Sequence, residues 1–359
     1  MARRDVGRPV AAGFGAGHGP REWFGPGVVP APQRVVTDSR GTLIARRSPN
    51  SRECPVSAVQ AGAQSADSHH VMGKDAAGLL SRVDDLPPLP AVAARVMGMA
   101  EDDKTSAMDL AQVLATDQAL TAKLIRISNS AYYGFARRIS TVREAVVMLG
   151  FKQVRQVAVG ASLMNTFKRG QDDGFDLDLF WGHSVAVAVA AEALAKKSFA
   201  VKPEDAFTAG ILHDIGRLVV RQVMPAEFAQ AVAMARRGEC SLHIAEQIAT
   251  GYSHDEVGKA LGELWKFPGH LIDAVRCHHD ESLTAGDGLS GVVAQANRLV
   301  LHYGLYCGYD LEFGDLAPLP PDLADVEAAC GGIERVLNRA FSFIESASGT
   351  PETWYAKAS

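Results

Sequence analysis

The sequence predicts an all-α protein built from two packed helical bundles, and three observations carry that expectation. Apolar residues recur at three- and four-residue spacing through most of the chain after Met72. Capping signals precede several of these runs, and no segment alternates polar and apolar residues as a strand would. A polar stretch, Lys168-Arg-Gly-Gln-Asp-Asp-Gly174, punctuates the pattern and divides it into two helical halves.

Residues 1–71 differ in kind from the rest. Gly, Pro, Ala and Arg dominate, and no apolar period appears, so this segment is expected to be a disordered tail without function. Its nine arginines against five acids make +4, which leaves −9 for the remainder of a chain whose formal charge is −5. Translation starting at Met72 is an alternative reading of the same shift in composition. An acidic body argues against nucleic-acid and membrane-surface partners, and no apolar run is long enough to span a bilayer. Five scattered cysteines (Cys54, Cys240, Cys277, Cys307, Cys330) without a C-x-x-C pair fit free thiols in a reducing, cytoplasmic compartment.

In the first half, Leu86-Pro-Pro-Leu-Pro90 is an extended lead-in, and its last proline suits a helix first turn. Val92, Val96 and Met99 follow at helical spacing, and residues 108–114 form a second short helix. Asp117 caps a third, with Leu120, Leu124 and Ile127 on one face and Asn129 at its end. Tyr132-Tyr-Gly-Phe135 is an aromatic turn before Arg137 and Arg138, expected to pack between helices rather than to bind nucleic acid. Thr141-Val-Arg-Glu144 is a capping box that opens a helix closed by Gly150, and a further helix over 152–167 turns Val154, Val157, Ala158 and Leu163 inward.

The second half opens with a helix over 177–197 whose apolar stripe includes His183. A helix over 204–214 ends in Phe207-Thr-Ala-Gly-Ile-Leu-His-Asp-Ile-Gly-Arg217, where His213 and Asp214 stand side by side in an otherwise apolar run. Helices over 218–223, 226–235 and 241–250 follow; His243 has no evident partner and counts as an ordinary packed residue. Ser253-His-Asp-Glu256 is a second capping box, with His254 in the first turn. After Pro268, Leu271, Ile272 and Val275 form an inward stripe that His278 and His279 extend. A helix over 291–303 carries Asn297, and one last helix near 326–344 follows Pro318, Pro320 and Pro321.

Burying an imidazole beside a carboxylate costs free energy unless both find partners. His183, His254, His278 and His279 are placed to join His213 and Asp214 around a cation. Nitrogen and carboxylate donors suit Mn, Fe, Mg or Zn, with no thiolate needed. Any one of these histidines alone is best read as a hydrogen-bonded core residue; the ordered set of six favours a metal site.

Taken together, these motifs resemble the HDOD domain, the HD-related output domain of bacterial signalling proteins. The carriers are the Leu-Pro-Pro-Leu-Pro lead-in, Leu124-Ile-Arg-Ile-Ser-Asn-Ser130, Ile139-Ser-Thr-Val-Arg-Glu-Ala145, Phe180-Trp-Gly-His183, Gly210-Ile-Leu-His-Asp-Ile-Gly216, Tyr252-Ser-His-Asp-Glu-Val-Gly258, Trp265-Lys-Phe-Pro268 and His278-His279. The resemblance implies a domain over 72–310, with an N-terminal bundle at about 86–167 and an HD-like bundle at about 175–305. Residues 311–359 are then a C-terminal helical extension. In the wider HD superfamily, which includes the HD-GYP cyclic di-guanylate phosphodiesterases, the pattern His…His-Asp…His…His-His…Asp holds two metals that activate water against a phosphodiester. The resemblance makes His183, His213, Asp214, His254, His278 and His279 the metal ligands. Three departures stand against it. Asp280-Glu-Ser-Leu-Thr replaces Gly-Tyr-Pro after His279, Arg217 stands where those enzymes usually carry lysine, and Asn297 stands near the position of the final Asp.

Two functions are compatible with this pattern. The expected one is a largely non-catalytic output or adaptor module that binds ligand, metal or protein, with its signalling partners supplied in trans because no sensor, receiver or cyclase domain accompanies it. The alternative is a metal-dependent phosphohydrolase acting on a nucleotide or cyclic dinucleotide, in which Asp214 bridges the metals and Arg217 steadies a phosphate.

Overall fold

The structure is a computed structural model, and it describes Gly78 and residues 88–99, 107–164, 166–167, 173–198, 200–309 and 318–348. The expected disordered tail over 1–71, the alternative start at Met72 and the chain after 348 lie outside the described residues. Every regular element among the described residues is an α-helix.

Five helices form the first half: α1 (Ala91–Gly98), α2 (Ala107–Ala115), α3 (Gln118–Ser128), α4 (Val142–Leu149) and α5 (Phe151–Leu163). Their ends follow local chemistry. The Asp117 carboxylate accepts the Leu120 N–H at 2.9 Å and starts α3. Asn129 ends it, and its side chain both donates to the Ile139 carbonyl and accepts from the Ile139 N–H, at 2.7 Å each. That pair of bonds pins the strand-like approach to α4 against the end of α3. Thr141 accepts the Glu144 N–H as expected, but Glu144 does not complete the box on Thr141. It reaches one residue further back, to the Ser140 N–H and hydroxyl at 2.8 Å each.

The second half consists of α6 (Leu177–Ala195), α7 (Pro203–Leu212), α8 (Ile215–Val223), α9 (Pro225–Arg236), α10 (Leu242–Thr250), α11 (His254–Leu264), α12 (Gly269–Cys277), α13 (Gly288–His302), α14 (Pro321–Cys330) and α15 (Ile333–Ser348). Helix α6 is its axis, flanked by α7, α13, α14 and α15. It is apolar all round because it is enclosed all round, as a fully buried helix must be. By length and composition it is also the one described helix apolar enough to cross a membrane, yet 83% of the qualifying stretch is buried against its neighbours.

Three sequence expectations are corrected. The helix over 204–214 ends two residues early: α7 stops at Leu212, His213–Asp214 forms the joint, and α8 begins at Ile215 rather than at 218. The single last helix is two, because Gly331 and Gly332 adopt φ of 80° and 92°, left-handed backbone that glycine adopts at little cost. The capping box at Ser253 does not form. Its Glu256 extends instead to the Arg276 guanidinium at 3.0 Å.

Helix α15 is an integral part of this body. It packs on α6 and on α3, so it ties the two halves together. Phe343 is fully buried, edge-on to Tyr132 at 5.7 Å and tilted against Phe207 at 5.8 Å. Arg339 lies over the Tyr132 ring at 4.4 Å and donates to the buried Glu192 carboxylate at 3.1 Å. Replacing Phe343 by alanine removes an aromatic that touches both halves. Chemical denaturation should show Phe343→Ala losing about 3–5 kcal/mol of stability; a loss below about 1 kcal/mol would mean α15 is not the clasp described here.

Candidate metal centre

The joint between α7 and α8 exists because two backbones come together. A Cβ on Gly216 would overlap the His254 carbonyl and the Gly258 backbone, so α8 and α11 cross where neither carries a side chain. That contact brings His254, in the first turn of α11, beside the His213–Asp214 joint. Gly210 does the same for α7 on α6, since a Cβ there would collide with the backbone of Ala188. His183, one and a half turns earlier on α6, is thereby brought to the end of α7.

His213 and His278 occupy equivalent places. Each is the residue just past a helix, after α7 and α12 respectively. The last carbonyls of a helix lack intrahelical partners, and each imidazole satisfies one: His213 Nδ1 bonds to the Gly210 carbonyl at 2.7 Å and His278 Nδ1 to the Val275 carbonyl at 2.6 Å. His183 Nδ1 likewise bonds to the Leu305 carbonyl at 2.8 Å. A carbonyl only accepts, so each ring carries a proton on Nδ1, and Nε2 is the nitrogen that faces inward. This is how backbone carbonyls prepare histidines as metal ligands.

The Nε2 atoms converge on Asp214. One carboxylate oxygen, Oδ2, lies 3.3 Å from His213 Nε2 and 3.6 Å from His183 Nε2, and those two nitrogens are 3.1 Å apart. The other, Oδ1, lies 2.9 Å from His254 Nε2 and 3.4 Å from His278 Nε2. His254 Nε2 is in turn 3.2 Å from His278 Nε2 and 3.1 Å from His279 Nε2. All six residues expected from the sequence are therefore brought together, as two groups that share Asp214: His183, His213 and Asp214, and Asp214, His254, His278 and His279.

Arg217 is the counter-charge. Its guanidinium donates to Asp214 Oδ2 at 2.9 Å and to Glu246 Oε1 at 2.6 Å, with Nη2 3.1 Å from His254 Nδ1. At 3% exposure it is part of the wall, and this placement argues against the exposed fork that the phosphate-steadying role expected of Arg217 requires. Burial works to raise the Asp214 pKa, but Arg217 and His213 outweigh it and hold the carboxyl well below the usual range. Burial pushes His183 down to about 3 and His278 down to about 4, so both are neutral at physiological pH. His254 behaves differently. Burial and Arg217 oppose its charge, yet Glu246 and Asp214 lift its pKa to about 9.

His254 Nδ1 faces Glu246 Oε2 at 2.6 Å. If its proton sits there, Asp214 Oδ1 has no hydrogen-bond donor although it is buried. Its needs are then met only by a second proton on His254 or by a cation. With a pKa of about 9, His254 carries that second proton when no cation is bound. A cation at Asp214 Oδ1 would displace it, and the carboxylate with its surrounding imidazoles is a donor set that fits a metal ion.

Glu246, His243, Asp255 and Cys307 belong to this region, and sequence reasoning missed all four. Glu246 had a signal: it falls on the buried stripe of α10 with Leu242 and Ala245, where an acid is out of place without a partner. Cys307, buried beside Asp214 and Arg217, had none, since it lies in the loop after α13. Asn297 is buried on α13 with its side-chain oxygen unpartnered, and α13 packs against α6, α7 and α12.

Residues 86–281, more than half of the chain, match the family described as the HDOD domain. The chain belongs to the HDOD domain family. Among solved structures, an HDOD domain protein with unknown function from Geobacter sulfurreducens is 26% identical with a TM-score of 0.60, covering 77% of this HDOD chain and 96% of that one. A protein from Shewanella amazonensis SB2B, provisionally named a phosphohydrolase, is 26% identical with a TM-score of 0.57, covering 75% and 97%. An uncharacterized protein of Treponema pallidum (strain Nichols) is 24% identical over 208 residues, 58% of this chain, and the chain spans 40% of that relative's length.

Glu246 orients His254 through Nδ1, and such outer partners typically contribute 10–100-fold to metal affinity. The substitution Glu246→Gln should weaken binding of divalent metal by about that factor in calorimetric titration, while circular dichroism stays unchanged.

Proposed function

We propose that this HDOD protein is a regulatory output module whose second helical half holds divalent metal at Asp214 and acts mainly through binding. The observation that carries the reading is the convergence of imidazole Nε2 atoms on both oxygens of one buried carboxylate, three of the rings being tied through Nδ1 to backbone carbonyls. His183, His213 and Asp214 Oδ2 would hold one cation; Asp214 Oδ1, His254, His278 and His279 would hold another. An imidazole-rich set favours Fe or Zn over Mg. When bound, such a cation supplies Lewis acidity and positive charge for an oxygen ligand.

Burial supports binding over turnover. His183, His213, Asp214, His254 and His278 are each at most 2% exposed, which leaves His279 as the half-buried ligand through which the centre meets solvent. The amide of Asn297, near the position where HD phosphohydrolases place a carboxylate, lowers the negative charge available to two cations. The partners read by such a module are signalling proteins supplied in trans, with a nucleotide as a further candidate ligand.

A second reading has its own support. Asp214 offers one oxygen to each of two imidazole groups, which is the arrangement two-metal hydrolases use, and the Shewanella relative is provisionally named a phosphohydrolase. Elemental mass spectrometry on full-length protein, purified without chelator or polyhistidine tag, tests both. Stoichiometric metal is expected, lost in His213→Ala and in Asp214→Ala. A folded, metal-free protein from metal-replete cells would sink both readings. Metal-dependent cleavage of cyclic dinucleotides or simple phosphodiesters, abolished in Asp214→Ala, would favour the second.

A further inference from the structure

We propose that His243 Nδ1 and Asp255 Oδ1 form a third divalent-cation position at the rim of the buried cluster. The two atoms lie 3.9 Å apart, beyond hydrogen-bond distance. Two metal–ligand bonds of about 2.0–2.2 Å span that gap around a single ion. Neither atom has a hydrogen-bond partner, although both are shielded from solvent. Leaving a buried polar atom unpaired costs about 1–3 kcal/mol, and here one cation would satisfy two of them.

Both donors are held in place by their neighbours. Asp255 stands in the first turn of α11, where Ser253 makes no side-chain cap, and its Oδ1 has no partner. The His243 ring lies 4.1 Å from that of His279 at an interplanar angle of 32°, so it stacks on a ligand of the buried group. His254 also brings a ligating atom within 4.8 Å of the other two. Its Nδ1 faces Glu246 and its Nε2 faces Asp214, however, so it is already engaged by the central cluster. The rim position therefore has two protein ligands. The side chains of His243 and Asp255 are 26% and 17% exposed, so the pair lies near the surface although the two donor atoms themselves are shielded. One imidazole and one carboxylate with open positions suit Mn2+. With fewer protein ligands and less charge, binding here is weaker than in the central groups.

The test titrates chelator-stripped full-length protein with Mn2+ and counts the free ion by electron paramagnetic resonance. The near-isosteric variants His243→Gln and Asp255→Asn are compared with wild type. Each variant is expected to bind one Mn2+ fewer, the missing equivalent being the weakest by about tenfold or more, with the tighter equivalents unchanged. If both variants bind as many ions as wild type, the rim position does not exist. Tight equivalents absent from wild type would defeat the metal reading of the central cluster, whereas the difference between wild type and variants decides the rim independently.

Discussion

The second half of this protein is arranged around one carboxylate. Asp214 is buried beside five imidazoles, and a charged group in such a place requires compensation. Arg217 supplies part of it, and Glu246 holds Arg217 and His254 in position from the far side. The ion pairs are so interlocked that removing Arg217 would leave two buried acids unbalanced, a loss of about 3–5 kcal/mol for a broken buried pair. The Gly216–Gly258 crossing and the interruption between α7 and α8 serve the same end. They bring Asp214 to its partners without a side chain in the way.

The histidines owe their chemical state to helix geometry. A helix must leave its last carbonyls unsatisfied, and His213 and His278 sit where an imidazole N–H can reach one three residues back. Packing thus orients two ligands as a by-product of ending two helices. His183 achieves the same state through a carbonyl distant in sequence, at Leu305. Burial then keeps His183 and His278 neutral, as a metal ligand must be.

The first half contributes support. Its link to the second runs through α5 on α7, and through α15, whose Phe343 and Arg339 engage the aromatic turn at Tyr132. Glu192 on the axial helix α6 receives Arg339 and Lys196, so the apolar helix carries a single neutralised acid where the halves meet.

Much of this was legible in the chain itself. Helical spacing, the caps at Asp117 and Thr141 and the apolar stripes around His183 and His278 depend on interactions within a few residues, and sequence order displays those directly. The six candidate ligands were legible because five histidines and one aspartate at core positions stand out against an apolar pattern. What only the tertiary structure decided depends on distant partners. Arg217 turned inward because Glu246, 29 residues later, waited there. Ser253 makes no cap, because the Glu256 that would have closed the box pairs with Arg276 from the next helix. His243 acquired neighbours from α11 and from the end of α12. Spacing along a helix specifies which face a residue occupies, but the charges it meets across that face are set by how the helices cross.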